Sequence, residues 1–199
     1  MKKFVFGAIA ALFSISSYAN DTYIATELGL GSYSISGEDS GEKYIQDLKD
    51  VGFINLKIGQ ISDENYRYYG YIQHGGHNSS EFVVNGKTQF KLKFATYELG
   101  LGADYIHELN DQFYLTAGAN LGVYNSDFEY THDDDNRSSS HTGLSTGLGL
   151  GLGLAVTDHF GIELGYRYTH FFGNEHKTDT YDVSFNATNM GYLNLNYTF

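Results

Sequence analysis

The last ten residues, Met190 to Phe199, alternate strictly between two faces. Gly191, Leu193, Leu195, Tyr197 and Phe199 share one side, and Tyr192, Asn194, Asn196 and Thr198 share the other. A period of two is the mark of a β-strand with one apolar and one polar side. Such a strand at a chain end presents an open edge and invites aggregation unless something pairs with it. In a closed barrel the last strand pairs with the first and no edge remains. The stretch therefore reads as the closing strand of a membrane β-barrel.

The same alternation recurs upstream. Strand one runs from about Tyr23 to Ile35, with Ile24, Leu28 and Leu30 opposite Ala25, Glu27, Gly29 and Gly31. A polar stretch from Gly37 to Asp50 leads to strand two, Val51 to Ile61, where Ile54, Leu56 and Ile58 oppose Asn55, Lys57 and Gly59. Strands three and four run from Tyr66 to His107, with a hairpin turn expected at Asn85-Gly86. Strand five shows Phe113, Leu115, Leu121 and Val123 against Thr116, Gly118, Asn120 and Gly122; a polar loop is expected from Ser126 to His141. In strand six, leucines from Leu144 to Leu154 alternate with glycines and Ser145. In strand seven, Ile162, Leu164, Tyr166 and Tyr168 oppose Glu163, Gly165 and Arg167, and a second polar loop covers Phe172 to Thr180. Strand eight extends upstream to about Tyr181, with Tyr181, Val183, Phe185 and Ala187 keeping the parity of Phe199. In strand four Lys91 and Lys93 share the parity of Leu99, so either a bulge re-phases it near Ala95 or both lysines lie above the membrane; the second reading is preferred.

The expected fold is all-β, an eight-stranded antiparallel up-and-down transmembrane barrel. Its connections alternate long and short, the pattern of outer-membrane barrels with brief periplasmic turns and longer external loops, which puts both termini in the periplasm. Tyr66, Tyr105, Phe113, Phe160, Tyr197 and Phe199 mark the lower interfacial girdle, and Tyr168 and Phe185 the upper one.

Composition narrows the picture. The chain has 24 Gly, 18 Tyr and 14 Phe but no Cys, Pro or Trp, so disulfides play no part. A mean hydropathy of −0.33 is compatible with a membrane, because alternating strands average towards neutral. Lys2 and Lys3, the apolar run Phe4 to Ile15 and Ser17-Tyr18-Ala19 form a secretory leader, residues 1–19, leaving a single barrel domain, 20–199. With those lysines removed the net charge falls from −12 to −14, a sign that argues against nucleic acid.

Six charges fall on inward faces: Glu27, Lys57, Arg67, Glu98, Glu163 and Arg167. An eight-stranded lumen is only wide enough to be filled by side chains, and unpaired buried ions cost several kcal/mol each. A salt-bridged plug is the favoured reading, and a gated ion path the alternative. The Gly-Leu repeat from Gly147 to Gly153 lacks phosphate-loop spacing and reads as lumen packing. His74 and His77, three apart on a strand, point to opposite faces and make no metal pair. Asp133 to Asp135 reads as solvated loop, with weak divalent-cation binding as a minor alternative. No metal or other cofactor is expected.

The leader, the eight alternating strands, the segment Glu163 to Thr169 and the terminal Tyr197-x-Phe199 resemble the small outer-membrane barrels: the OmpA membrane domain, OmpX/Ail proteins and opacity-type surface antigens. The resemblance implies that the barrel-assembly machinery reads Leu193, Leu195, Tyr197 and Phe199 as an assembly signal. The cell-wall-binding domain of OmpA is not carried over, because the chain stops at Phe199. Some small barrels are lipid A deacylases with a late His-x-Ser-Asn; here His170-Phe171-Phe172 puts Phe172 where the serine is needed, and Ser184 has no triad spacing. The expectation is a monomeric, non-enzymatic protein of a Gram-negative outer membrane with a structural or surface-interaction (adhesion-type) role. Its partners would be membrane lipid, lipopolysaccharide and an extracellular ligand met through the loops. A narrow, porin-like channel is the alternative, and a lipid A-modifying enzyme the less favoured one.

Overall fold

A computed structural model describes residues 21–37, 50–62, 65–84, 87–132, 135–177 and 182–199. Within these residues the chain forms β1 (Asp21–Gly37), β2 (Asp50–Ser62), β3 (Tyr66–Val84), β4 (Lys87–Glu108), β5 (Phe113–His132), β6 (Asp135–Ala155), β7 (Phe160–Phe171), β8 (Glu175–Lys177) and β9 (Asp182–Thr198). The expected leader, Asn85-Gly86, Asp133 and Asp134 lie outside the described residues, as do the side chains of His77, Lys91 and Asp135.

Consecutive strands pair antiparallel from β1 to β7, β7 pairs with β9, and β9 pairs back onto β1 from Tyr23↔Thr198 upward. The wall is thus a closed barrel of eight long strands. The three-residue β8 is an addition to the rim of β9. Closure removes the open edge that the terminal strand would otherwise present. The backbone N–H of Phe199 donates to Thr22 O at 2.9 Å, so the last residue is tied to the first strand.

The two ends of the barrel differ. At one end the turns are short. Asn110 Oδ1 accepts from Gln112 N and Phe113 N, both at 2.9 Å, and Thr157 Oγ1 accepts from Phe160 N at 2.9 Å. These are side-chain caps that let the backbone reverse within four residues. At the other end β3–β4 and β5–β6 run on as tall hairpins, paired as far as Val84↔Lys87 and His132↔Asp135. Much of the loop expected at Ser126 to His141 is therefore paired strand. Apart from Phe128, which is buried in the lumen, its described residues are mostly polar, so the sequence carries little hydrophobic contrast there, while backbone pairing continues regardless.

Alternation sets the two sides of the wall. Leu28, Leu56, Leu101, Leu148, Leu164 and Leu195 are exposed, whereas Glu27, Asn55, Glu98, Glu163 and Asn194 are buried in the lumen. Tyr66, Tyr105, Phe113, Tyr197 and Phe199 stand exposed at the short-turn end. β4 holds one phase: Lys93 and Tyr97 are exposed, Phe94, Thr96 and Glu98 buried, and its pairing with β5 has no register shift. Lys93 instead pairs with Glu129 across the outer surface of the hairpin, at 3.1 Å.

One expectation is corrected in β9. Phe185 shares the parity of Phe199, yet it is buried in the lumen. The register against β1 slips between Ser34↔Ala187 and Ile35↔Phe185, leaving Asn186 as the extra residue of a bulge. An extra residue inverts every position beyond it. Phe185 is therefore not part of an upper girdle; Tyr168, 40% exposed, does face outward.

Candidate functional site

The lumen is built in layers. From the short-turn end to the middle, Tyr23, Tyr69 and Tyr71 are interleaved with the charges, and an aromatic cluster including Tyr33, Phe94, Tyr124, Phe128, Phe171 and Phe185 fills the long-hairpin end. Inward glycines make room for these rings; a Cβ at Gly100 would meet the Tyr71 ring at 2.6 Å.

Each cation of the middle layer is held by carboxylates from other strands. Glu27 on β1 is clamped between Lys57 Nζ at 2.7 Å and Arg167 Nη2 at 2.5 Å. Arg67 on β3 bridges Asp104 Oδ2 at 2.8 Å and Glu163 Oε2 at 3.1 Å. The free oxygens of these acids are also used. Glu163 Oε1 accepts from Thr116 Oγ1 at 3.0 Å and Tyr192 OH at 3.1 Å, and Asp104 Oδ1 accepts from Tyr69 OH at 3.2 Å. Aromatic faces add cation–π contacts, with Lys57 Nζ 4.7 Å from the Tyr69 centroid and Arg167 Cζ 5.3 Å from that of Tyr192.

Glu98 is held differently. Among the described residues it accepts from Ser145 Oγ at 2.7 Å, Gln73 Nε2 at 3.4 Å and Tyr71 OH, with no cation against it. Gln73 links it to the ion pairs, because Gln73 Oε1 takes Arg167 Nη1 at 3.3 Å. The free space at the centre, beside Lys57, Asp104 and Arg167, is about 10 Å³, roughly the room one water needs.

The long-hairpin end carries a second polar cluster. After β7 the chain turns at Gly173, whose φ of 68° lies in the left-handed region, and β8 crosses the mouth. Ser126 Oγ lies 2.7 Å from Asn174 Oδ1 and 3.0 Å from His176 Nε2, and His176 Nδ1 lies 3.2 Å from Ser139 Oγ. Asn174 Nδ2 donates to Phe185 O at 3.0 Å, and Tyr124 OH to Phe172 O at 2.9 Å. Burial among Phe94, Phe128 and Phe185, with His141 nearby, pushes the His176 imidazole down to about 4. The neutral ring is thus the form that fits the cap. Ser126 is fully buried, so its hydroxyl presents no surface to a substrate.

The family model described as "Outer membrane protein beta-barrel domain" matches residues 6–199. The chain belongs to that family. As an outer-membrane β-barrel it shares its fold with neisserial surface protein A, at a TM-score of 0.62 and 16% identity over 89% of this chain and 97% of that one. A major outer membrane protein from Thermus thermophilus superposes at 0.60, with 12% identity over 89% and 99% of the two chains. Ail, the attachment invasion locus protein of Yersinia pestis, superposes at 0.55, with 18% identity over 92% and 100%. No curated protein sequence matches the chain.

In this outer-membrane barrel the six charges singled out by parity, Glu27, Lys57, Arg67, Glu98, Glu163 and Arg167, all lie buried in the lumen. Among the described residues five of them form ion pairs and Glu98 does not. Asp104, a partner of Arg67, was missed as a site residue although its inward parity was legible. The His176 cluster was missed for lack of any local signal, since Ser126 and His176 are fifty residues apart. On the terminal strand Leu193, Leu195, Tyr197 and Phe199 all face outward. His74 is exposed and stacks on Tyr97 at 4.5 Å. The His170 ring lies 4.7 Å from that of the exposed Phe172, and Ser184 sits on β9 opposite Glu175.

Proposed function

We propose that this outer-membrane barrel is a sealed, non-enzymatic surface protein that carries its tall hairpins outside the cell and keeps both termini in the periplasm. The single observation behind this reading is the lumen: Arg67 and Glu27 each join two oppositely charged side chains, around a space of about 10 Å³. A barrel filled in this way spends its interior on stability and leaves its external hairpins as the surface for extracellular partners. The residues before Asn20 would be a removed leader. The outward terminal strand, ending in Tyr197 and Phe199, would be read by the assembly machinery.

Planar-bilayer recording tests the seal. The purified barrel should pass no steady current, and Glu163→Gln and Arg167→Gln should not raise it to that of an open pore. Steady ion currents in the wild-type protein that either substitution abolishes would establish the narrow-channel reading instead. Orientation is tested separately. The chain has no cysteine, so single cysteines placed at Asn85 and at Asp111 report through an impermeant thiol reagent on intact cells. Labelling at position 85 but not 111 fits the orientation; the reverse refutes it. Mass spectrometry of lipid A from cells with and without the protein tests the non-enzymatic reading, which loss of an acyl chain would overturn.

A further inference from the structure

The lipid-facing wall is not uniform. On β1, Leu30 is 77% exposed and is flanked by glycine on both sides, pairing with Gly52 of β2 and Gly191 of β9. The result is an apolar groove of about 660 Å³ crossing β2, β1, β9 and β7. Leu28, Leu30 and Leu164 form its sides, and the rings of Phe53 and Tyr192 back its thin floor.

Nothing inside the protein requires glycine at the two outward positions. A Cβ at Gly191 would meet nothing closer than 4.0 Å, and at Gly52 nothing closer than a Leu30 methyl at 3.8 Å. Neither residue has a positive φ; among the described glycines only Gly173 does. The inward glycines of the same region behave oppositely. A Cβ at Gly165 would meet Leu150 O at 2.6 Å, and at Gly29 it would meet Gly191 O at 2.8 Å. Gly165 and Gly29 are therefore explained by packing, whereas Gly52 and Gly191 keep open a space that the fold does not use.

The groove is continuous with the belt of exposed leucines that faces the hydrocarbon of the outer membrane. Towards the long hairpins the next outward positions are polar: Ser32 on β1 and Asn189 on β9, where Tyr166 OH donates to Asn189 Oδ1 at 2.6 Å. Its upper end thus opens at the headgroup level of that leaflet. We propose that the groove is a lipid site holding one acyl chain of a bilayer lipid from the leaflet on the long-hairpin side, with the headgroup beside Ser32 and Asn189. Leucine and lipid tails are equally apolar, so retention rests on packing contacts along the groove, which an ordinary convex wall lacks.

The test uses the barrel reconstituted into vesicles of dimyristoyl phosphatidylcholine, extracted in mild detergent and weighed by native mass spectrometry. The expected result is retention of one lipid per barrel. Gly52→Leu with Gly191→Leu fills the groove and should lower the lipid-bound to lipid-free ratio about tenfold or more. Ala119→Leu, also outward but on β5, should leave it unchanged. Heat-modifiable mobility on unheated gels confirms that each variant has folded. A wild-type barrel that retains no lipid, retention unaltered in the double variant, or a wild-type dimer that the double variant splits into monomers would each overturn the proposal. Retention reads the groove whichever end of the barrel faces outward, so its failure is separate from failure of the orientation proposed above.

Discussion

Replacing Arg67 by methionine removes one cation and strands two acids. Asp104 would keep only Tyr69 OH at 3.2 Å, and Glu163 only Thr116 and Tyr192. Arg67 is 3% exposed, and the nearby free space admits about one water, so little solvent can enter to replace the lost charge. Removal of one partner from a buried ion network costs about 3–5 kcal/mol, and two orphaned carboxylates place Arg67→Met at the upper end. Lys57→Met should cost less, about 1–3 kcal/mol, because Glu27 keeps Arg167 at 2.5 Å. Adding Asp104→Asn and Glu163→Gln to Arg67→Met removes the stranded charges and should restore most of the loss. The assay is urea titration of the barrel in lipid vesicles, followed by gel mobility and tyrosine fluorescence, with free energies taken by linear extrapolation. If Arg67→Met unfolds within about 1 kcal/mol of the wild type, these groups behave as surface ion pairs do. The sealed-lumen reasoning would then be refuted.

Glu98→Gln should change stability by less than about 1 kcal/mol in the same titration, since no cation loses its partner and Ser145, Gln73 and Tyr71 can still bond the amide. The cap over the mouth should weaken in acid. His176 has its pKa lowered from 6.5 to about 4 on folding, so the opened state binds its proton first as pH falls. The stability His176 contributes is complete above about 6.5 and is lost as pH drops to about 4; the hydrogen-exchange protection of Phe172 N and Phe185 N, taken relative to the intrinsic rate at each pH, should fall over that window and stay flat in His176→Gln. Gly165→Val should destabilise the barrel by about 1–3 kcal/mol or prevent folding, while Gly191→Val folds normally, because only the first drives a side chain into backbone. Deleting Phe199 should reduce insertion in cells, measured as heat-modifiable protein in outer-membrane fractions; undiminished insertion would count against the terminal strand as an assembly signal.

Period-two patterning alone determined that the chain makes eight alternating strands, which side of each meets lipid, and that Glu27, Lys57, Arg67, Glu98, Glu163 and Arg167 turn inward. Those are local properties, fixed by the pleat of the strand and repeated often enough to be read one residue at a time. Parity failed at Asn186, where one extra residue inverts Phe185, because a bulge is a matter of register against β1 and leaves no mark in composition. Pattern also stopped at Ser126, since the residues beyond it, Phe128 aside, are mostly polar and give too little contrast to mark a strand that backbone pairing nonetheless continues. Partner choice belonged to the tertiary structure: that Glu27 takes both Lys57 and Arg167, that Arg67 takes Asp104, and that Ser126 meets His176. These contacts join residues from well-separated strands, brought together only when the barrel closes. The groove at Gly52 and Gly191 is of the same kind. Each glycine by itself is one small residue on a strand, and only the register that sets both beside Leu30 turns them into a shape.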